Sequence, residues 1–477
     1  MMAAYRNIAL RWTRLDPRLL PFGDAASAEL PLPRLFRLSL FQVSVALAVV
    51  LLNGTLNRIM IVELSVPSSV VALMVSLPLL FAPLRALIGF RSDTHKSAIG
   101  WRRAPYIWIG SLLQFGGLAI MPFALILLSG DSIGPAWVGV AGASLAFLLV
   151  GAGLHTTQTA GLALATDLAP PETRPRVVAF LYVMLLAGSV LASLLFGQLL
   201  ANFSQVRLIQ VIQGAALLTM VLNTIALWKQ EPRNPSRNRN TEAEPQFREA
   251  WNAFVSLAGA KRTLCAVGFG TAAFAMQDIL LEPYGGEILH MSVGETTALT
   301  GILSAGSLAG FALAAEFLNS GKCNYRIAAF GALAGLIAFP CVIFSGAIES
   351  ALLFRLGTLI IGFGGGLFAV GTLTAAMEIA RQSPSGIALG AWGAVQASAA
   401  GVSIALSGGI KDIVSKFAAT GSLGQAVSGP GTGYDTVYLL EIIFLFATLA
   451  AVGPLVRSRR AEQIERPGTF GLAEFPG

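Results

Sequence analysis

Apolar stretches long enough to cross a bilayer recur along almost the whole chain, and nothing else limits its possible folds as much. A membrane helix needs about 20 consecutive apolar residues, because the hydrocarbon core is about 30 Å thick and each residue rises about 1.5 Å. Twelve such stretches can be counted, at roughly 38–62, 68–89, 104–129, 136–162, 176–200 and 206–228, then 261–282, 293–318, 325–346, 352–378, 385–410 and 435–456. Composition agrees, since 12% of the 477 residues are charged and 55% hydrophobic, where soluble chains carry about 25% charged residues. The expected class is an all-α, polytopic membrane protein. Cys265, Cys323 and Cys341 sit in or beside apolar stretches without ligand spacing, which gives no case for disulfides or a zinc site. The first apolar run starts near Leu38, so the first helix itself is expected to direct insertion.

The longest polar stretch falls after the sixth span and divides the chain into two six-helix halves, 38–228 and 261–456. The linker, 229–260, is rich in Pro, Asn and mixed charge, and its REAWNAF run is expected as a short surface helix. Segment 1–37 carries six arginines, either as an interfacial helix up to Pro17 or as a disordered basic tail, and residues 457–477 form a second basic tail. Even-numbered connections hold Arg91, Lys96, Arg102, Arg103, Arg174 and Arg176, whereas the odd-numbered ones hold few cations, chiefly Arg207, Arg355, Lys411 and Lys416. The positive-inside rule therefore puts both termini and the linker in the cytoplasm. The net charge of +7 follows this topology, and the expected surroundings are a lipid bilayer with no nucleic acid. Two such halves make the architecture of the major facilitator superfamily, whose halves are related by an axis along the membrane normal.

Ionisable groups inside spans are costly and mark candidate sites. FGTAAFAMQDILLEPYGG places Asp278 and Glu282 four residues apart, on one face of a helix that Pro283 and Gly285-Gly286 are expected to end or kink. LLNGTLNRIMIVELSVP ends the first span similarly, with Asn57, Arg58 and Glu63. The acids could load a proton in a coupled transporter or pair with Arg58. The ion pair is preferred, because spans one and seven occupy matching places in the two halves. His155 lies in VGAGLHTTQTAGLALA beside Gly151, Gly153, Gln158 and Gly161. It is either a metal-ligand candidate or a hydrogen-bonded residue among glycines that serve helix packing. The glycines of IGFGGGLFAVGTLTAAME lack the Lys-Ser/Thr of a phosphate loop and are expected to serve close packing. No Ser-His-Asp set, metal cluster or paired aspartate-rich motif stands out, so an enzyme is not expected.

GFRSDTHKSAIGWRRAPYIWIG resembles the superfamily's loop between spans two and three, with Gly89 and Asp93 at the family spacing. Thr94 stands where Arg is usual, and Arg102-Arg103 arrives late, which puts a standard cytoplasmic latch in doubt. LLNGTLNRIMIVEL, WRRAPYIWIG, HTTQTAGLALATDLAPPETRPRVVAFLYVMLL and MQDILLEPYGGEIL together resemble the PucC/LhaA family across about residues 35–456. Length and the basic N-terminus are closest to the LhaA branch, linked to the core antenna. The resemblance implies a bacterial inner-membrane assembly factor that delivers bacteriochlorophyll, and carotenoid as a second cargo, to light-harvesting antenna polypeptides. Bacteriochlorophyll synthase and the reaction centre are further implied partners. In that setting His155 would be the axial ligand of the pigment magnesium, with Gly151, Gly153 and Gln158 around the ring. A secondary transporter of a tetrapyrrole or other small solute, and a pigment-free antenna chaperone, remain the alternatives.

Overall fold

Within hydrocarbon every backbone N–H and C=O needs a partner in the chain, and helices supply it. The computed structural model describes residues 25–27, 30–80, 101, 103–130, 135–170, 173–231, 247–257, 259–380, 387–424 and 427–463. We number the membrane helices in chain order. The first half has α1 (Leu32–Glu63), α2 (Ser68–Leu80), α3 (Ala104–Leu128), α4 (Ala136–Leu168), α5 (Arg174–Leu199) and α6 (Gln205–Leu227). The second has α7 (Ala260–Glu287), α8 (Val293–Asn319), α9 (Asn324–Ala347), α10 (Ala351–Ala380), α11 (Ile387–Ala419) and α12 (Thr432–Gln463). Among the described residues, eleven of these are long and apolar enough to cross a membrane, and α2 is a shorter apolar helix.

Polarity runs opposite to that of a soluble protein. Phe123 is 69% exposed and Ile337 62% on the outer faces, whereas Gln114, Asn223 and Glu441 are fully buried. Inside the first half Asn223 donates to Gln114 Oε1 (3.2 Å), the kind of polar contact that holds helices together where lipid removes the hydrophobic drive. The glycines of α10 are spent on packing, as expected. A side chain at Gly362 or Gly366 would run into the α8 backbone at Leu303 or Ser307, and one at Gly364 into Gly331 of α9.

Several boundaries move. α1 begins at Leu32 rather than 38, after Pro31. α11 continues to Ala419 rather than stopping near 410, so Lys411 and Lys416 lie on a helix and not in a connection. The linker helix Phe247–Ser256 is docked: Phe254, with Trp251 and Val255, packs on Ala260, Ile379, Ala388 and Ala391. On the linker side of the first half, Glu231 accepts from the N–H groups of Arg103 (3.1 Å) and Ala104 (2.8 Å) at the start of α3. Arg103 Nε donates to Asp167 of α4 (3.1 Å). This contact joins two helices of one half, so Arg103 is a brace within that half. Asp93 and Arg102, with His95 and the remainder of that loop, lie outside the described residues.

Candidate functional site

The first helices of the two halves, α1 and α7, both depart from regular geometry, and they do so where they meet. α7 is α-helical to Ala275, tightens into a 3₁₀ turn over Met276–Ile279, and resumes as an α-helix over Leu281–Glu287. Proline explains the position. Pro283 has no N–H to donate to Ile279, and its ring would crowd that carbonyl, so the break precedes it and Pro283 sits in the first turn of the new helix. Of the expectation that Pro283 and Gly285-Gly286 end or kink the helix, the interruption is found, just before Pro283, whereas the chain does not end there and stays helical through all three. Asp278 lies within the 3₁₀ turn and Glu282 in the α-helix that follows Leu280, so the two acids do not share the face of one regular helix as expected. α1 widens into π-helical turns over Val50–Leu56 and Ile59–Glu63, a distortion often found at functional sites.

A broken helix leaves backbone groups without their usual partners, and side chains from other helices serve them here. Asn57 of α1 directs its Nδ2 to the carbonyls of Asp278 (3.5 Å) and Ile279 (3.4 Å). Glu441 of α12 accepts from the Gln277 N–H (2.7 Å). Thr300 of α8 donates to Glu282 Oε1 (2.8 Å). Gly54 lets α1 come this close, since a Cβ there would overlap the Thr300 hydroxyl. Glu441 Oε2, Glu282 Oε2 and Gln277 Oε1 are buried without a hydrogen-bond partner.

The expected pairing of Arg58 with Asp278 or Glu282 is not formed. Arg58 binds Glu63 of its own helix and donates to the Met291 carbonyl across the inter-half boundary (3.2 Å). Glu63 lies one widened helical turn beyond Arg58 and so satisfies it locally. Among the described residues, no cation pairs with Asp278, Glu282 or Glu441. Glu441 was overlooked in the sequence, although it is a lone acid within the apolar run YLLEIIFLFATLAA, which is itself the signal.

On the side away from the linker the two halves are sealed. Asp412 of α11 accepts from the N–H groups of Ser68 (3.2 Å) and Ser69 (2.7 Å), which open α2 in the other half. A carboxylate at a helix N-terminus satisfies orphan donors and the positive end of the dipole together. Lys411 stands between Asp412 (3.9 Å) and Glu287 (3.6 Å), and Glu287 also accepts from the Tyr434 hydroxyl (2.7 Å). Gly408 presses on Ser68 and Ala72, and Gly294 of α8 on Gly197 of α5, so backbones touch across the boundary.

The residues around His155 divide. Gly151 is pressed against Pro78 of α2, and Gly153 against the backbone of Gly110 and Gln114 of α3. They are consumed by helix packing and make no flat bed for a ring, which corrects their assignment to a pigment site. His155 is half-buried and shares a stripe of α4 with Thr159, Leu162 and Thr166, at spacings of one helical face, with Gln158 half-buried beside it.

Two six-helix halves, sealed on one side around a pair of interrupted first helices, define a membrane protein of the major facilitator type. Solved structures agree on the fold. A bacterial homologue of the human lysosomal transporter Spinster, inward-facing and occupied, superposes with a TM-score of 0.64 at 14% identity, covering 89% of this chain and 96% of that one. A bacterial homologue of the iron transporter ferroportin gives 0.63 at 14% identity, covering 89% and 99%. The family is narrower: the PUCC protein model matches residues 55–460, and the chain belongs to that family. Protein PucC of Rhodovulum sulfidophilum is 57% identical over 85% of this chain and 90% of its own. An uncharacterized protein encoded in the puhA-bchM intergenic region of Rhodobacter capsulatus is 53% identical over 98% of each. A more distant relative, 28% identical over 90% of this chain and 97% of its own, is the bacteriochlorophyll synthase 44.5 kDa chain of Rhodobacter capsulatus. PucC proteins are associated with assembly of light-harvesting complexes.

Proposed function

We propose that this chain is an assembly factor of the core light-harvesting antenna that binds bacteriochlorophyll within the bilayer and passes it to nascent antenna polypeptides, without catalysing a reaction. It would act in the bacterial inner membrane with both termini and the linker cytoplasmic, beside the bacteriochlorophyll synthase and the reaction centre, with carotenoid as a second cargo. The observation that carries this reading is the family match over residues 55–460. Bacteriochlorophyll brings a flat, apolar ring and a magnesium that takes an axial ligand. His155 fits that ligand by chemistry and by its half-buried place on α4, and the stripe of Thr159, Leu162 and Thr166 would lie along the ring. Gly151 and Gly153 have no part in it. The test is transfer: pigment-loaded protein in vesicles is mixed with pigment-free antenna polypeptides, and the antenna near-infrared band should grow as the carrier band falls. An unchanged carrier spectrum would count against delivery.

One observation favours a second reading, a coupled transporter of a tetrapyrrole or other small solute. Asp278, Glu282 and Glu441 gather at the break in α7 with no cation among the described residues to neutralise them. A proton taken up there would relieve an unpaired buried charge. Solute flux in proteoliposomes that is absent, or unchanged by Asp278→Asn, removes that reading.

A further inference from the structure

The two halves repeat, but they do not fill the same space. The turn after the first helix of each half carries one non-glycine residue in the left-handed region, Ser65 (φ 53°) after α1 and His290 (φ 52°) after α7. Counting six residues back from each aligns Ile59 with Tyr284. In the second half Tyr284 fills the gap between α7, α9 and α12. Its ring packs edge-on against Tyr434 (5.4 Å) and Tyr438 (5.6 Å), and its hydroxyl donates to the Val342 carbonyl (3.3 Å). Gly346 of α9 is bare because the Tyr284 hydroxyl occupies the place of a Cβ.

In the first half the matching gap, between α1, α3 and α6, stays open. A cavity of about 130 Å³ remains there, lined by Ile59 and Leu64, by Pro122, Leu125 and Ile126, and by Leu208 among others. Glu63, Ser129 and Gln205 are its polar groups. Ile126 lines the cavity and is also 43% exposed, and Phe123 (69%) and Val206 (66%) project from the same two helices. The mouth therefore opens between α3 and α6 onto the lipid-facing surface, on the side away from the linker. The volume is below the roughly 300–1,000 Å³ of pockets that enclose a drug-sized ring system. It suits a segment of flexible chain.

We infer that this cavity is a site for one acyl chain of a membrane phospholipid, inserted from the lipid side between α3 and α6. The bilayer presents acyl chains at that mouth, and the walls are aliphatic and aromatic carbon with polar groups confined to Glu63, Ser129 and Gln205. The chain would abut Glu63, whose partner Arg58 reaches the Met291 carbonyl of the second half, so an occupant touches the pair that bridges the halves. This inference goes beyond pigment delivery and holds whether or not the protein carries pigment.

The full-length protein is reconstituted in phosphatidylethanolamine–phosphatidylglycerol vesicles with a trace of phosphatidylethanolamine bearing a diazirine in its acyl chain, then irradiated and mapped by mass spectrometry. Labelling is expected at residues 59–64, 122–129 and 203–209 in excess of the matching positions of α7, α9 and α12, which the tyrosines close. Ile59→Tyr, which copies the residue at the matching position, is expected to bring labelling down to the level of the second half. Equal labelling of the two halves in the unmodified protein overturns the inference and needs no variant. A parallel run uses a diazirine-bearing farnesol. Labelling of the patch by that probe and not by the acyl probe also overturns it, in favour of an isoprenoid tail.

Discussion

Replacing Asp412 should loosen the seal between the halves, and the structure sets the size of the effect. The carboxylate accepts two backbone N–H groups at the start of α2, at 3.2 and 2.7 Å, and the acceptor and the donors belong to different halves. Losing a side-chain cap costs about 0.5–2 kcal/mol. Losing a negative charge at a helix N-terminus costs about 0.3–1 kcal/mol more. These contacts exist only while the halves are closed on this side, so the loss falls on the closed state alone. One to two kcal/mol changes a two-state ratio by roughly 5–30-fold. Asp412→Ala should therefore turn a minor open population into a measurable one, and Asp412→Asn, which keeps one oxygen acceptor, should do less. Spin labels at Asn202 and Ser422, both exposed on this side, in a background without Cys265, Cys323 and Cys341, would report the change by pulsed dipolar spectroscopy. The expected result is a new, longer-distance component in Asp412→Ala. An identical distance distribution in a folded variant would mean that this cap does not hold the halves together.

Other outcomes follow from the same geometry. Glu441→Leu leaves the Gln277 N–H buried and unpaired, which costs about 1–3 kcal/mol, so thermal unfolding in detergent should drop well below that of Glu441→Gln, which keeps the acceptor. Glu63→Ala leaves the buried Arg58 with only the Met291 carbonyl and, because Glu63 itself is 36% exposed, should cost about 1–3 kcal/mol, with the Arg58→Met/Glu63→Leu pair recovering much of it. A double-mutant cycle on thermal stability should find coupling between Arg58 and Glu63 and almost none between Arg58 and Asp278. Gly54→Val should destabilise the protein by overlap with Thr300, and Thr300→Gly in the same chain should restore part of the loss in a melting curve.

The membrane spans were legible because they follow from a one-dimensional signal, apolar run length. The break in α7 was legible in kind, through Pro283, but not in place, because the distortion that proline forces lies on its N-terminal side. Arg58 shows the limit of pairing by symmetry. Matching helices do meet, through Asn57, but the arginine was satisfied at shorter range by Glu63, once π-helical turns brought the two together. Around His155 the glycines answered to neighbours distant in sequence, Pro78 and Gly110, and no local pattern tells a glycine that admits a ligand from one that admits a helix. Asp412 gave no sequence signal, because its value depends on a helix start more than three hundred residues away.

Pigment carriage can be read from an absorption spectrum of the detergent-purified protein from a phototrophic host, normalised to protein. The expected result is a near-infrared bacteriochlorophyll band in fixed proportion to protein, lost or shifted in His155→Ala and retained in Asp278→Asn. A colourless, monodisperse and thermally stable protein would contradict it, and would leave transport or pigment-free chaperoning of antenna helices as the function of this fold.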